Sequence, residues 1–355
     1  MSKQPFFSIV IPTFNRAPKL HFTLFCISRQ SFSDFEIIIS DNCSSDNTKE
    51  VVSKLRNKKI HYYKTKKTVI YPQNIKNALS HAKGKYIFIH GDDDVLLYNN
   101  SLQEIYEKIK EYGVGYIRPK YVCMSPDGKQ IFKFKIAQPQ DKNQYLSPLA
   151  ENETILSFLN NTDLYFITGI IYKNVLPINL KMLDSEHAPW IEILFYVIKN
   201  FGAYYIAKPH IVASWSKWRL KHNPVYELSD GKLESEHYFD VIEKKIKKEA
   251  YDSFLKNQLK TMYVFPFIKA MVGNKKMLKV ASRVLFLDPS MRKSIIYWIN
   301  LGVAILLPRS ILIFLKNIFR YLYIQSSTEI NNKQLVTRFK DLELKYLHSR
   351  ESVIK

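Results

Sequence analysis

The sequence predicts an α/β fold: a mostly parallel sheet flanked by helices over residues 1–215, a linker at 216–240, and a mainly helical, basic carboxyl-terminal region over 241–355. Three observations carry this. In the first 120 residues, short runs of β-branched and aromatic side chains alternate with segments whose apolar residues recur at helical spacing. Residues 216–236 are polar and hold Pro224 and Gly231, which marks a boundary. Beyond them the apolar spacing is helical to the end.

Taken in order, residues 6–11, 35–40, 60–64 and 86–90 are the first strand candidates. Helices are expected between them over 19–30, 48–56 and 73–83, the last with Ile75, Ala78, Leu79 and Ala82 on one face. Ser45 or Asp46 suits the cap of the second. Leu102, Ile105, Ile109 and Tyr112 mark a fourth helix. Strands at 165–172 and 203–213 then bracket a helix from about 189 to 200, while 116–151 show no readable pattern and are expected as variable loops.

The apolar block 294–324 is broken by Asn300, Pro308, Arg309, Lys316 and Arg320, so no run reaches the ~20 residues of a spanning helix. Helices lying in a headgroup layer fit it, and so do core helices packed on a domain. Leu335, Phe339, Leu342 and Tyr346 then form one stripe on a terminal helix. That stripe offers a face either to a partner chain, as an oligomer contact, or to its own domain.

Of the 355 residues, 46% are hydrophobic, enough for a sizeable core and for two domains. The net charge of +21 points to anionic partners. Residues 241–355 hold 22 Lys and Arg against 8 Asp and Glu, a net +14 beside apolar segments, which favours an anionic membrane surface over nucleic acid. Cys26, Cys43 and Cys123 show neither metal-ligand nor disulfide spacing, which suits a reducing compartment. The run 6–11 before Pro12 is too short for a signal peptide, so the expected location is cytoplasmic, peripheral on the cytoplasmic face of the inner membrane.

The chemistry concentrates in three places. Gly91-Asp92-Asp93-Asp94 follows the strand candidate 86–90, and three adjacent carboxylates repel one another unless a cation or donor network offsets the repulsion. A divalent metal that also takes diphosphate oxygens does this; a solvated turn capping the next helix is the plainer alternative. The opening strand stops at Pro12 and releases Thr13, Phe14, Asn15 and Arg16 at the carboxyl edge of the sheet, where open α/β folds bind ligands. A second strand ends in Asp41, followed by the polar turn Asn42 to Thr48; its carboxylate suits either a base or ribose or the turn itself.

In this order, with Gly84-Lys85-Tyr86-Ile87 leading into the acidic cluster, the blocks resemble the family 2 glycosyltransferases of bacterial surface-polysaccharide synthesis, closely over residues 5–115 and loosely over 160–215. The resemblance implies a GT-A (Rossmann-like) fold and a nucleotide-diphosphate sugar donor. It implies transfer with inversion to a saccharide or lipid-linked acceptor of lipopolysaccharide, capsule or a similar polymer. Carried over by position, Pro12, Thr13, Asn15 and Arg16 line the nucleotide pocket, Asp41 contacts the nucleoside, and Asp92 lies beside the donor. Asp93 and Asp94 hold a divalent metal, Mn²⁺ or Mg²⁺.

Two positions depart from the family pattern, Asn42 and Gly91, where an Asp is common. Inversion requires a base for the acceptor hydroxyl, usually an acidic residue at a helix start in the second half of the domain. The segment Asp184 to Glu192 supplies Glu186 as first choice, Asp184 and Glu192 as rivals, and His187 as a further candidate. Two other functions compete. A non-enzymatic basic nucleic-acid-binding protein accounts for the charge but not for the acidic cluster. A sugar nucleotidyltransferase requires a Gly-rich phosphate loop near the start, and the chain has no Gly before Gly84.

Overall fold

The computed structural model describes residues 4–125, 128–132, 141–163, 166–175, 189–213, 228–229, 232–233, 236–261, 264–326, 328 and 331–354. The chain divides into two compact units, one of residues 1–214 with 328–355 and the other of 215–327.

In the first unit, β1 (Phe7–Thr13), β2 (Phe35–Asp41) and β4 (Tyr86–Ile89) are buried along their whole length, as strands covered on both faces must be. With β3 (Ile60–Lys64) they pair in parallel in the order β3-β2-β1-β4. The helices α1 (Ala17–Ser28), α2 (Thr48–Lys54) and α3 (Tyr71–Ser80) make the crossovers. Gly84 of the motif before β4 lies against β1: a Cβ there would come within 2.4 Å of the Ser8 nitrogen. Its N–H donates to Ser8 Oγ, which in turn donates to the buried Glu36. Pro12 has no N–H to give. Val10 accepts from His90 N–H, so the Pro12 nitrogen, two residues on, lies on the β4 side just where β4 has ended, and no ladder bond is lost.

The sheet continues through β9 (Ile170–Lys173), antiparallel to both β4 and β6 (Tyr116–Met124), and β6 pairs in parallel with β10 (Ala203–Ala213). The short β5 (Val95–Leu96) and β8 (Gln144–Leu146) pair with β10, and β7 (Ile131–Phe132) with β6, all antiparallel. Helices α4 (Ser101–Tyr112), α5 (Asn152–Asn161) and α6 (Pro189–Phe201) complete this unit's first segment.

The strand β6 overturns the expectation of loops across 116–151. Arg118, Pro119 and Lys120 break its apolar pattern, yet Arg118 and Lys120 are buried. Their charges are answered from distant parts of the chain, Arg118 by backbone carbonyls between Thr162 and Thr168 and Lys120 by Asp141.

The second unit contains the small hairpin β11 (Leu228–Ser229) and β12 (Lys232–Leu233), then α7 (Glu236–Glu243), α8 (Lys248–Thr261), α9 (Phe265–Val272) and α10 (Asn274–Leu287). A 3₁₀ turn (Pro289–Lys293) leads into α11 (Ile295–Leu306) and α12 (Arg309–Ser326). Among the described residues no helix is long and apolar enough to cross a membrane.

The terminal helix α13 (Asn332–Ile354) belongs to the first unit, not to a separate carboxyl-terminal region running from 241 to 355 as the sequence suggested. The reason is its apolar stripe. Leu335, Val336 and Leu342 are buried with Val95, Leu97, Val122 and Val212, while Tyr346 packs on Phe22 and Phe25 and its hydroxyl meets His21 Nδ1 at 2.9 Å. Arg338 donates to the Leu97 carbonyl. The stripe considered for an oligomer contact is thus covered by the chain's own domain.

Candidate active site

Parallel pairing aligns the ends of β1, β2 and β3: Thr13 stands opposite Asp41, and Asp41 opposite Lys64. β4 ends beside them and delivers the acidic cluster to the same edge. Asp92, Asp93 and Asp94 are all buried, at 6, 6 and 0% exposure. Burial of three adjacent carboxylates is costly, so the donors around them decide the chemistry.

Asp92 is held from two sides. Thr13 Oγ1 donates to one oxygen at 2.7 Å and Arg16 Nη1 to the other at 3.1 Å, and the same guanidinium nitrogen lies 2.9 Å from Asp93 Oδ2. Burial still pushes the Asp92 carboxyl up to about 6, with Arg16 pulling it down and Asp93 raising it. His90, directly before the cluster, donates through Nδ1 to the Gly91 carbonyl, and burial pushes its pKa down to about 4. It therefore adds no positive charge near neutral pH. Thr23 in α1 fixes the backbone of the cluster, its hydroxyl lying 3.1 Å from the Asp92 carbonyl and 2.9 Å from that of Asp94.

Asp94 is latched from the segment that leads into β9, the neighbour of β4. The Thr168 hydroxyl donates to its carboxylate and accepts from Gly91 N–H. A Cβ on residue 91 would lie 2.5 Å from Asp94 Oδ2 and 2.8 Å from Thr168 Oγ1. Glycine here, where the family often has Asp, is what lets the latch close. Thr168 is itself placed by Arg118, whose guanidinium donates to the carbonyls of Thr162, Asp163, Phe166 and Thr168 at 2.7 to 3.2 Å. Sequence reasoning found neither Thr23, Thr168 nor Arg118, and no local signal marks them: each matters only through a group far away in the chain.

The second cluster knits the loops after β1 and β2. Asn15 adopts a φ of 51°, and its Oδ1 accepts from the N–H of Ser45 at 2.8 Å while its own N–H donates to Ser44 Oγ. Asp46 accepts from Ala17 N–H and from Thr48, so it ties the starts of α1 and α2 together. Against the cost of its partial burial, these hydrogen bonds hold Asp46 below the usual carboxylate range. Asp41 is fully buried, and its carboxylate already accepts from Ser44 N–H and the Tyr62 hydroxyl. A nucleoside contact by Asp41 therefore requires Tyr62 to yield its place. Asn42 pairs with Val69 as a strand residue would, donating to its carbonyl and accepting from its N–H, both at 2.8 Å. An Asp at 42 could not donate, which gives the second departure from the family pattern a structural cause.

Thr13, Arg16, Asp92 and Asp93 are thus brought into direct contact, with Asn15 in the adjoining loop and Asp41 at the end of β2. Of the expected base candidates, Asp184, Glu186 and His187 lie outside the described residues. Glu192 stands half-buried in the first turn of α6.

Residues 8–171 match the family described as Glycosyl transferase family 2. Among curated proteins, the chain is 27% identical over 209 residues to the GalNAc(5)-diNAcBac-PP-undecaprenol beta-1,3-glucosyltransferase of Campylobacter jejuni, covering 57% of this chain and 65% of that protein. It is 33% identical over 121 residues to the poly(ribitol-phosphate) beta-N-acetylglucosaminyltransferase TarP of Staphylococcus aureus, covering 32% of this chain and 36% of TarP. The matches therefore span less than two thirds of these relatives. The crystal structure of S. aureus TarS superposes with a TM-score of 0.51 at 16% identity over 82% of this chain and 54% of that one, a likeness of fold. The parallel strand ends, the acidic cluster they present and the match over residues 8–171 agree: that segment is similar to glycosyl transferase family 2, and the fold is of the GT-A type.

Proposed function

We propose that the chain transfers a sugar, with inversion, from a nucleoside-diphosphate donor to a saccharide or lipid-linked acceptor in bacterial surface-polysaccharide synthesis. The relatives named above support the acceptor class, since one is named for an undecaprenol-linked saccharide and the other for poly(ribitol-phosphate). One observation carries the reading: three buried carboxylates stand at the ligand-binding edge of the sheet with Arg16 paired to two of them.

The cluster fits a hard divalent cation. It offers only oxygen donors, and its three carboxylates carry more negative charge than Arg16 offsets. Among the described residues no group of three or more Asp, Glu, His or Cys side chains is placed to hold a metal by itself, and in this reading diphosphate oxygens complete the site. Asp93 and Asp94 are the residues that would hold it, beside Asp92, which is held by Thr13 and Arg16. When bound, the metal would neutralise the diphosphate leaving group.

The chain's own groups do the rest. Thr23 and Thr168 keep the cluster's backbone and the Asp94 carboxylate in place, so little reorganisation is left for the moment of reaction. Arg16, about a quarter exposed, is placed to meet phosphate charge while bound to Asp92 and Asp93. Glu186 is the proposed base, with Asp184 and Glu192 as alternatives. It would take the proton of the acceptor hydroxyl as that oxygen attacks the anomeric carbon from the face opposite the diphosphate.

The test is turnover of UDP-, GDP-, CDP- and dTDP-sugars with Mn²⁺ or Mg²⁺, by the parent chain and by Asp93→Asn and Asp94→Asn. Metal-dependent turnover by the parent alone is expected. Full turnover in excess chelator, or by both variants, would remove the metal from the reading.

A further inference from the structure

The apolar block that the sequence could not assign to core or interface is exposed on one side. In α11 and α12, Tyr297, Ala304, Leu312 and Ile324 are buried, and α9 meets the pair through Phe265, edge-on to Tyr297 at 5.2 Å, and Phe267, 5.0 Å from Phe319. Their other side turns Ile295, Ile296, Ile299 and Leu306 of α11 and Phe314 and Leu322 of α12 outward. Leu306 is 81% exposed, Ile295 74% and Phe314 65%. Helices that are apolar on both the packed and the open side are not built to face water.

A second feature concerns the break between the two helices. Lys269, itself buried, donates Nζ to the carbonyls of Ala304, Ile305 and Leu307 at 2.8, 3.3 and 3.0 Å. Arg309 Nε donates to the Ala270 carbonyl at 3.3 Å. At a surface facing water, solvent satisfies the last carbonyls of a helix at no cost. Supplying them from a buried lysine is useful where water is scarce.

The third feature is charge. From Pro289 to Thr328 the sequence has Arg292, Lys293, Arg309, Lys316 and Arg320 and no Asp or Glu. A second copy of this face would set cations against cations with no acid from either segment to answer them. Anionic headgroups answer them directly.

We propose that α11 and α12 lie in the headgroup layer of an anionic bilayer, parallel to its plane, with Lys269 sealing the helix break from the protein side. The assignment does not depend on the catalytic reading, since it concerns a surface of the second unit.

Flotation of the full chain with vesicles of phosphatidylcholine alone, or of phosphatidylcholine with phosphatidylglycerol, tests it. Flotation is expected with the anionic vesicles and is expected to weaken with salt. Ile296→Asp with Phe314→Asp should lower the bound fraction about tenfold or more, and Arg292→Gln with Lys293→Gln about tenfold, at unchanged melting temperature because all four side chains are exposed. The Trp298 fluorescence of the parent, taken by difference against Trp298→Phe, should shift to the blue on binding. Equal flotation on neutral vesicles, or no loss in the two Asp variants, overturns the proposal. So does concentration-dependent dimerisation abolished by those variants without flotation by the parent, which would make the face a self-contact. Resistance to carbonate extraction would also overturn it, in favour of a spanning segment.

Discussion

The sheet edge of the first unit and the outer face of α11 and α12 break the ordinary rule of burial in opposite directions. At the edge, three carboxylates are inside. On the helices, isoleucines, leucines and phenylalanines are outside. The two departures also differ in how they are compensated. The buried carboxylates are surrounded by donors from Thr13, Arg16 and Thr168, so the protein holds its polar site ready. The exposed apolar face has its backbone break sealed by Lys269 while its side chains are exposed among the described residues, and the proposed compensation is an anionic bilayer. A local rule broken without local relief points to a ligand, and the sign of the breach gives the ligand's chemistry.

The largest expected effect lies at the edge. Asp93→Asn or Asp94→Asn should lower kcat by about 10²–10³-fold or more while the chain stays folded, because the loss falls on charge developing in the transition state. Turnover within a few-fold of the parent would make the cluster a structural turn and end the contrast with the helices. Next comes the base. Glu186→Gln should keep donor binding, read by thermal shift with the nucleotide sugar, and lose transfer by about 10²-fold. If Asp184→Asn or Glu192→Gln shows that loss instead, the role moves to that residue.

A smaller effect separates a latch from mere packing. Thr168→Val keeps the shape and removes the hydroxyl that donates to Asp94, and should raise the metal concentration needed for half-maximal activity by about tenfold. Thr168→Ser should restore it. Equal behaviour of the two variants would reduce Thr168 to a packing residue.

The smallest effect is on stability. Burial raises the Asp92 carboxyl from 3.8 to about 6, so between those values the folded chain binds more protons than the unfolded one and stability falls as pH rises. Above about 6 the ionised carboxylate costs the fold on the order of 1–3 kcal/mol, and below about 4 that cost is gone. With chelator present, Asp92→Asn should therefore melt higher than the parent at pH 8, and the gain should close as the pH falls through 6 towards 4. A constant difference across that range would mean that the donors of Thr13 and Arg16 fully offset the burial.

Apart from the short β5, the strands and helices of the first 112 residues were legible because their signals are local: alternation, helical spacing, and turn residues at the ends. Thr13, Arg16, Asp92 and Asp93 were legible as a group because parallel strands end at one edge, and that follows from the element order. Thr168 and Arg118 were not, since their value lies in hydrogen bonds to residues about 44 to 77 positions away.

The sequence by itself determined the parallel half of the sheet, the acidic cluster and the basic, apolar character of the later helices, each a property of neighbouring residues. Only the tertiary structure decided three matters. Residues 116–124 became a central strand because distant carbonyls and Asp141 accept the charges of Arg118 and Lys120. The terminal helix joined the first unit because its stripe met Phe22, Phe25 and Leu97. The apolar residues of α11 and α12 divided into buried ones, Tyr297, Ala304 and Leu312, and exposed ones, Ile295, Leu306 and Phe314, according to what packs on them rather than to their spacing. Spacing along a chain says which residues share a face. What that face meets is settled by parts of the chain far away in sequence, where spacing carries no information.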